Sequence, residues 1–170
     1  VTTDARGGPA GGYGSTGVPP YAPSVDASGR RVVFITEHPL DPGDRDDRFD
    51  VYVKDIDTGR VFWISTEDIA PGDAFFMGPE LDPSGRWIFF TAPPGDGPVA
   101  GQVFMQDLDT GHRRLLSRVG AEPGDGLSFV AAPNLATDEV FVLSTAPLSA
   151  NDEDQSYDLF AIGLRPARNR

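Results

Sequence analysis

The segment DPGDRDDRFD at 41–50 places five aspartates in ten positions, directly ahead of the alternating run VYVKD. Carboxylates at this density can hold a hard cation, supply a catalytic acid–base pair, or close a solvated turn through side-chain to backbone hydrogen bonds. The chain carries its own comparison. With Leu40 set on Leu148, LDPGDRDDRFDVY lies over LSANDEDQSYDLF without a gap. Asp44 falls on Asp152, Asp46 on Asp154 and Asp50 on Asp158, whereas Arg45 meets Glu153 and Asp47 meets Gln155. The pattern D-x-D-x-x-x-D thus persists while its surroundings change. Calcium takes six to eight oxygens at about 2.3–2.6 Å, drawn from carboxylates and backbone carbonyls of a tight loop. Alternate side chains of a curved loop converge on one point, and the last aspartate opens a strand that would anchor the loop. The expectation is a calcium site in each segment, formed by Asp44, Asp46 and Asp50 and by Asp152, Asp154 and Asp158. The alternative is an Asp-rich turn without metal, in which Arg45 and Arg48 offset the repulsion of the first cluster.

A third, intermediate segment acts as a control. PPGDGPVAGQVF has the lone Asp96 and puts Gln102 where the others have aspartate, so it should not hold a divalent ion well. Other chemistry is sparse. His38 in TEHPLD and His112 in DTGHRR show neither metal-ligand spacing nor a partner serine in a Gly-x-Ser-x-Gly turn. No catalytic residue is assigned, although a glycosidase-type carboxylate pair stays open from sequence. The turns APGD at 70–73 and EPGD at 122–125 read as structural, because Pro-Gly followed by Asp fixes a turn.

The elements that would position these loops emerge from internal repetition. APSVDASGRRVVFIT, GPELDPSGRWIFFTAP and APNLATDEVFVLSTAP are three copies headed by Pro23, Pro79 and Pro133, a period of about 55 residues. A second unit follows the first two, DVYVKDIDTGRVFWIS and QVFMQDLDTGHRRLLS, and the third has DLFAIGL alone. Alternation of apolar and polar residues rich in β-branched and aromatic side chains predicts strands, and Asp-Thr-Gly between two such runs predicts a hairpin. No segment has sustained helical periodicity. The chain is expected to be all-β, a β-propeller-like stack of about three four-stranded antiparallel blades, the third incomplete.

The text PxLDPSGRWIFFT followed by VFMQDLDTG and LLS resembles the TolB-like β-propeller repeat, in particular the longer form in secreted bacterial proteins, where an acidic loop precedes the DVYVxD strand. The resemblance covers 22–163 and implies a fold more than a function, since such blades serve binding, scaffolding and enzyme-accessory roles. It implies a Gly/Pro-rich arm at 1–21 with a latch strand in VTT, blade 1 at 22–77, blade 2 at 78–131, partial blade 3 at 132–164 and a basic tail at 165–170. In blade 1 the strands would be Ala22–Val25 along the channel, Val32–Thr36, Val51–Asp55 and Val61–Ser65 at the outer edge. Aromatics such as Phe34, Tyr52, Trp63, Phe89, Phe90 and Phe104 would pack between blades, with Phe75 and Phe76, in a connection, harder to place.

Bulk properties bound the function. Fourteen basic residues against 26 acidic ones, net charge -12, disfavour nucleic acid as a partner. They also disfavour anionic lipid surfaces, apart from the tail with Arg165, Arg168 and Arg170. Without cysteine there is no disulfide, thiolate metal site or cysteine nucleophile. No apolar run is long enough for a membrane helix. A start at Val1 fits a mature form whose targeting segment has been removed, and a periplasmic or extracellular location is expected. Closed propellers need about four to eight blades, so the flanks of two blades and a fragment require cover from another protein, a longer chain or a second copy. The expected function is a non-catalytic scaffold for protein–protein interaction, an accessory subunit of a larger envelope or periplasmic assembly. The alternatives are a carbohydrate-binding or enzyme-associated propeller module and an incomplete carboxylate hydrolase.

Overall fold

The computed structural model describes residues 23–45, 49–64, 77–92, 101–120, 122–134, 137–152 and 154–164. The arm at 1–21, Asp46, Asp96, the Phe75–Phe76 pair, the APGD turn and the basic tail lie outside the described residues. Among the described residues the chain is entirely strands and turns, and no helix is long and apolar enough to cross a membrane.

Blade 1 is an antiparallel sheet in sequence order, β1 (Ser24–Val25), β2 (Arg31–Thr36), β3 (Asp50–Asp55) and β4 (Val61–Ile64). Blade 2 repeats it with β5 (Met77–Leu81), β6 (Trp87–Ala92), β7 (Gln102–Asp107) and β8 (Arg113–Leu115). A two-stranded hairpin, β9 (Arg118–Val119) with β10 (Glu122–Pro123), occupies the next connection. Blade 3 has three strands, β11 (Ser128–Asn134), β12 (Glu139–Ser144) and β13 (Asp158–Gly163), with a register shift between Val130 and Ala132. Among the described residues the stack is unclosed.

The repeated turns explain the repeated strands. In the first, Asp26 accepts from the amides of Arg30 and Arg31, both at 2.9 Å. In the second, Asp82 accepts from the amide of Trp87 at 2.6 Å and from the hydroxyl of Ser84. Gly29 and Gly85 follow with φ of 72° and 71°, a left-handed conformation that side chains disfavour. The third copy has lost that glycine, and Asp138 takes a positive φ of 54° in its place, as aspartate tolerates better than most residues. The two Asp-Thr-Gly hairpins are also alike. Asp55 accepts from the Thr58 amide at 2.8 Å and Asp107 from the amides of Asp109 and Thr110 at 2.9 and 3.3 Å.

Successive side chains of a strand face opposite ways, so each blade has a leading face toward the next blade and a trailing face toward the previous one. Val33, Ile35, Val51, Val53 and Ile64 on the leading face of blade 1 pack against Leu81, Ile88, Phe90 and Phe104 on the trailing face of blade 2. Phe89, Val103 and Met105 on the leading face of blade 2 pack against Val140 and Val142 of blade 3. Blade 2, covered on both sides, has β7 buried along its whole length. At each buried aromatic or branched side chain the burial is worth about 1.5–3 kcal/mol, and sandwiching a blade doubles the number of positions that gain it.

Candidate functional site: the two acidic loops

The first acidic loop joins β2 to β3 and the other joins β12 to β13, so each is held by a central hairpin of its blade. Their backbones start alike. The amide of Asp44 donates to the carbonyl of Asp41 and that of Asp152 to the carbonyl of Ser149, each at 3.1 Å. One residue earlier, the Gly43 amide donates to the Asp41 carboxylate at 2.8 Å and the Asn151 amide to the Ser149 hydroxyl at 3.4 Å. At the far end Asp50 pairs with Thr36 and Asp158 with Ser144, the same register. The ungapped alignment of the two segments is therefore also a structural equivalence.

The aspartates within these frames do different things. Asp44 is buried at 5% exposure and accepts from the Tyr52 hydroxyl, which itself accepts from the Leu40 amide at 3.2 Å. Burial, and then the hydrogen bond to Asp44, hold the Tyr52 phenol protonated well above the ordinary tyrosine range. The loop folds over the trailing face of blade 1, where a side chain on Gly43 would meet the Trp63 ring at 3.0 Å. Asp50 is likewise buried. Asp44 and Asp50 are thus both buried in blade 1, and Asp46 lies outside the described residues.

In blade 3 the tyrosine is replaced by Phe160, which has no hydroxyl to offer. There Asp152, Asp154 and Asp158 converge, and one carboxylate oxygen from each lies within 4.8 Å of the other two. The Oδ2 atom of Asp152 is buried and has no hydrogen-bond partner among the described residues, a costly condition for a polar oxygen. Asp154 accepts from the Ser156 amide at 2.7 Å, and the Ser156 donors hold its carboxyl below the usual range. It therefore stays ionised beside two other carboxylates. Oxygens bound to one calcium at about 2.3–2.6 Å stand no more than about 5 Å apart, so the donor set and its spread fit such an ion. Ordinary loop repulsion would drive three unneutralised carboxylates apart.

Blade 2 shows what the same position does without an aspartate. Gln102 is fully buried, and its Nε2 donates to the carbonyls of Gly124 at 3.0 Å and Gly126 at 2.7 Å. Its Oε1 accepts from the Ser117 hydroxyl at 2.7 Å, which in turn accepts from the Val103 amide at 2.8 Å. An amide can donate and accept at once; a carboxylate can only accept. The glutamine thus clasps the EPGDG turn to blade 2, and that turn lies against blade 3, where a side chain on Gly126 would meet the Ala146 backbone nitrogen at 2.3 Å. EPGD is structural, as its turn chemistry predicts.

The remaining candidates are dispersed. His38 and His112 are both exposed, on loops of different blades. The strand aromatics are buried or half-buried between or upon blades, and Tyr157 is the one exposed aromatic among the described residues. It stacks with Phe129 at 6.4 Å between ring centroids. The sequence assigns Tyr52 to packing between blades and Gln102 to the absence of a metal ligand, whereas the structure gives both a polar role, the Tyr52 hydroxyl on Asp44 and the Gln102 amide on the carbonyls of Gly124 and Gly126.

No family model and no curated protein matches the sequence. Solved structures do match. A TolB structure from Agrobacterium tumefaciens superposes with a TM-score of 0.51 at 22% identity, over 85% of this chain and 44% of its own. The tricorn protease gives 0.55 at 15% identity, over 83% of this chain and 12% of its own. A prolyl endopeptidase gives 0.53 at 18% identity, over 86% of this chain and 20% of its own. This chain therefore spans less than half the length of each. At these identities the likeness concerns the fold, and it is shared by TolB and by peptidases. The chain has the β-propeller blade fold that these structures share, with two complete blades and three strands of another among the described residues.

Proposed function

We propose that the chain is a non-catalytic propeller module that binds another protein through the open end of its blade stack, as an accessory part of an envelope or periplasmic assembly. The observation that carries this reading is the leading face of blade 3. Cross-strand rows Phe129–Leu143–Leu159 and Ala132–Phe141–Ala161 cover it with apolar groups, and Leu159 is 63% exposed. The corresponding face of blade 2 is buried against a neighbour. An apolar sheet face of this kind marks an interaction surface. The resemblance of the repeat to secreted bacterial proteins supports the location. A photo-crosslinking residue at position 159, introduced in the native host, tests the reading: a discrete protein adduct is expected, and its absence would overturn it.

The second element of the proposal is a calcium ion in the loop of blade 3, held by Asp152, Asp154 and Asp158, which would brace β12 against β13 near the open face. The buried, unpartnered oxygen of Asp152 supports it. Asp44, Asp46 and Asp50 form the weaker candidate, since Asp44 already has a phenol donor.

A further inference from the structure

The partner of blade 3 can be given a chemistry, on the footing of the binding-module reading above. We infer that it is a protein surface with an apolar centre and lysine or arginine at both ends, and so is not a further blade of this repeat.

Charge is unevenly spread along the chain. Between Val119 and Leu164 there are eight acidic residues and no lysine or arginine, so this stretch carries -8 of the net -12. Every lysine and arginine among the described residues lies in blade 1, in blade 2 or in β9. A surface of one sign attracts and orients a partner of the other.

The acids of blade 3 stand at the two ends of its apolar leading face. Alternate residues of a strand point the same way, so Glu139 is in line with Phe141 and Leu143 of β12, beside Gly163, Ala161 and Leu159 of β13. Glu139 has no ion-pair partner among the described residues. At the other end, past the Ser144–Asp158 pair, Asp152, Asp154 and Asp158 converge. Tyr157, 54% exposed, lies next to them. Five strand steps separate Glu139 from Ser144, roughly 17 Å at about 3.4 Å per residue. A bound calcium ion would leave this end acidic, since Asp152, Glu153, Asp154 and Asp158 bring four carboxylates to its two charges.

The matching positions of the other blades show why a further blade fits poorly. Glu139 pairs with Gly163 as Trp87 pairs with Asp107 and Arg31 with Asp55, so the three hold one place in the repeat. In blade 1 that place meets the turn of the next blade, where Arg31 Nη1 donates to the Gly85 carbonyl at 2.6 Å. In blade 2 Trp87 packs into the contact with blade 3. A blade turn therefore offers an acceptor here, and the residue facing it in blade 1 is a donor. An ionised glutamate can only accept. Set against such a turn it would place acceptor on acceptor, whereas a lysine or arginine would give it a charged donor.

Fluorescence anisotropy on the full chain tests this, with a labelled synthetic peptide of about five leucines and valines, the length of the face, between paired lysines. A twin peptide has glutamates in place of the lysines. The lysine peptide is expected to bind at least about tenfold tighter than its twin, and more weakly as salt screens the exposed charges. Glu139→Lys and Leu159→Lys, checked for intact strands by circular dichroism, should each weaken binding by about fivefold or more. Asp57→Lys, the same charge change on an exposed residue of blade 1, should weaken it by less than about twofold. No binding, equal binding of the two peptides, or Glu139→Lys no weaker than Asp57→Lys would overturn the inference. So would a chain that binds only once Arg165, Arg168 and Arg170 are changed to glutamine, because its own tail would then be the occupant. If any of these holds while position 159 still crosslinks to a protein, the partner has another chemistry and the binding module stands.

Discussion

The phenolic hydroxyl of Tyr52 donates to the carboxylate of Asp44 inside blade 1, and the Leu40 amide donates to the same phenol oxygen. This small network ties the acidic loop to the third strand. Tyr52→Phe removes one donor from a buried carboxylate, for which the expected loss of stability is about 1–3 kcal/mol. Urea denaturation measures it. A variant as stable as wild type would show that Asp44 does not depend on the phenol.

The same bond sets an alkaline limit. Tyr52 keeps its proton in the folded protein above the ordinary value of 10.0, because burial and Asp44 disfavour the phenolate. The unfolded chain releases that proton first, so the contribution is complete below pH 10 and declines as pH rises beyond it. Absorbance titration, with Tyr52→Phe to isolate the signal of this residue, should show the Tyr52 phenol ionising only as the fold is lost. Ionisation of Tyr52 within the folded state would contradict this.

Acid acts in the opposite sense through the turns. The Arg86 guanidinium, at 2.6 and 3.2 Å, holds the Asp107 carboxyl below 3.8. The Thr58 amide does the same for Asp55. For Asp26 burial pushes upward, and the Ser28 hydroxyl with the Arg31 and Arg30 amides outweighs it. Groups with depressed folded values contribute stability that is present above about pH 4 and is lost as pH falls through them. Asp107→Asn should lower the melting temperature at pH 7 and flatten its decline between pH 4 and pH 2.

Gln102 offers a substitution whose expected sign opposes the repeat pattern. Gln102→Asp gives blade 2 the residue that blades 1 and 3 have, yet it takes two donors from the carbonyls of Gly124 and Gly126. A loss of about 2–4 kcal/mol is expected, as for a buried charge set against acceptors. Equal or greater stability would mean the clasp is dispensable.

Calcium binding is checked by calorimetry on protein first stripped with chelator. The expected result is one site with a dissociation constant on the order of 10⁻⁴–10⁻³ M, as in extracellular modules, together with a higher melting temperature in calcium. Asp158→Asn should abolish the heat and Asp44→Asn should leave it. Absence of heat with an unchanged melting temperature would remove the site.

Strand order and turn chemistry were legible in the sequence because they rest on local rules. Asp-x-Ser-Gly-Arg and Asp-Thr-Gly need only a few neighbouring residues, and both fold alike wherever they recur. The alternation around Phe89 and Phe90 likewise assigned them to packing between blades, whereas Phe34, expected there too, lies on the trailing face of blade 1, stacked on Tyr52. Less legible were features that depend on a distant partner. The β9–β10 hairpin has two residues per strand, too few for alternation to show. β11 starts at Ser128, ahead of the Ala132 repeat start, because Ser128 and Phe129 find Ser144 and Leu143 across the sheet. The two aspartate loops look the same in sequence because their ladder of carboxylates is the same; what separates them is a hydroxyl on Tyr52 that Phe160 lacks.

The sandwiching of blade 2 also predicts how the molecule breathes. In a stack whose units touch only their neighbours, each unit opens at a cost set by the interfaces it must give up. Blade 2 would surrender two and either end only one. Amide deuteration should therefore be slowest in β6 and β7 and fastest in β13, so the strand nearest the proposed partner is also the one that the isolated chain holds least firmly.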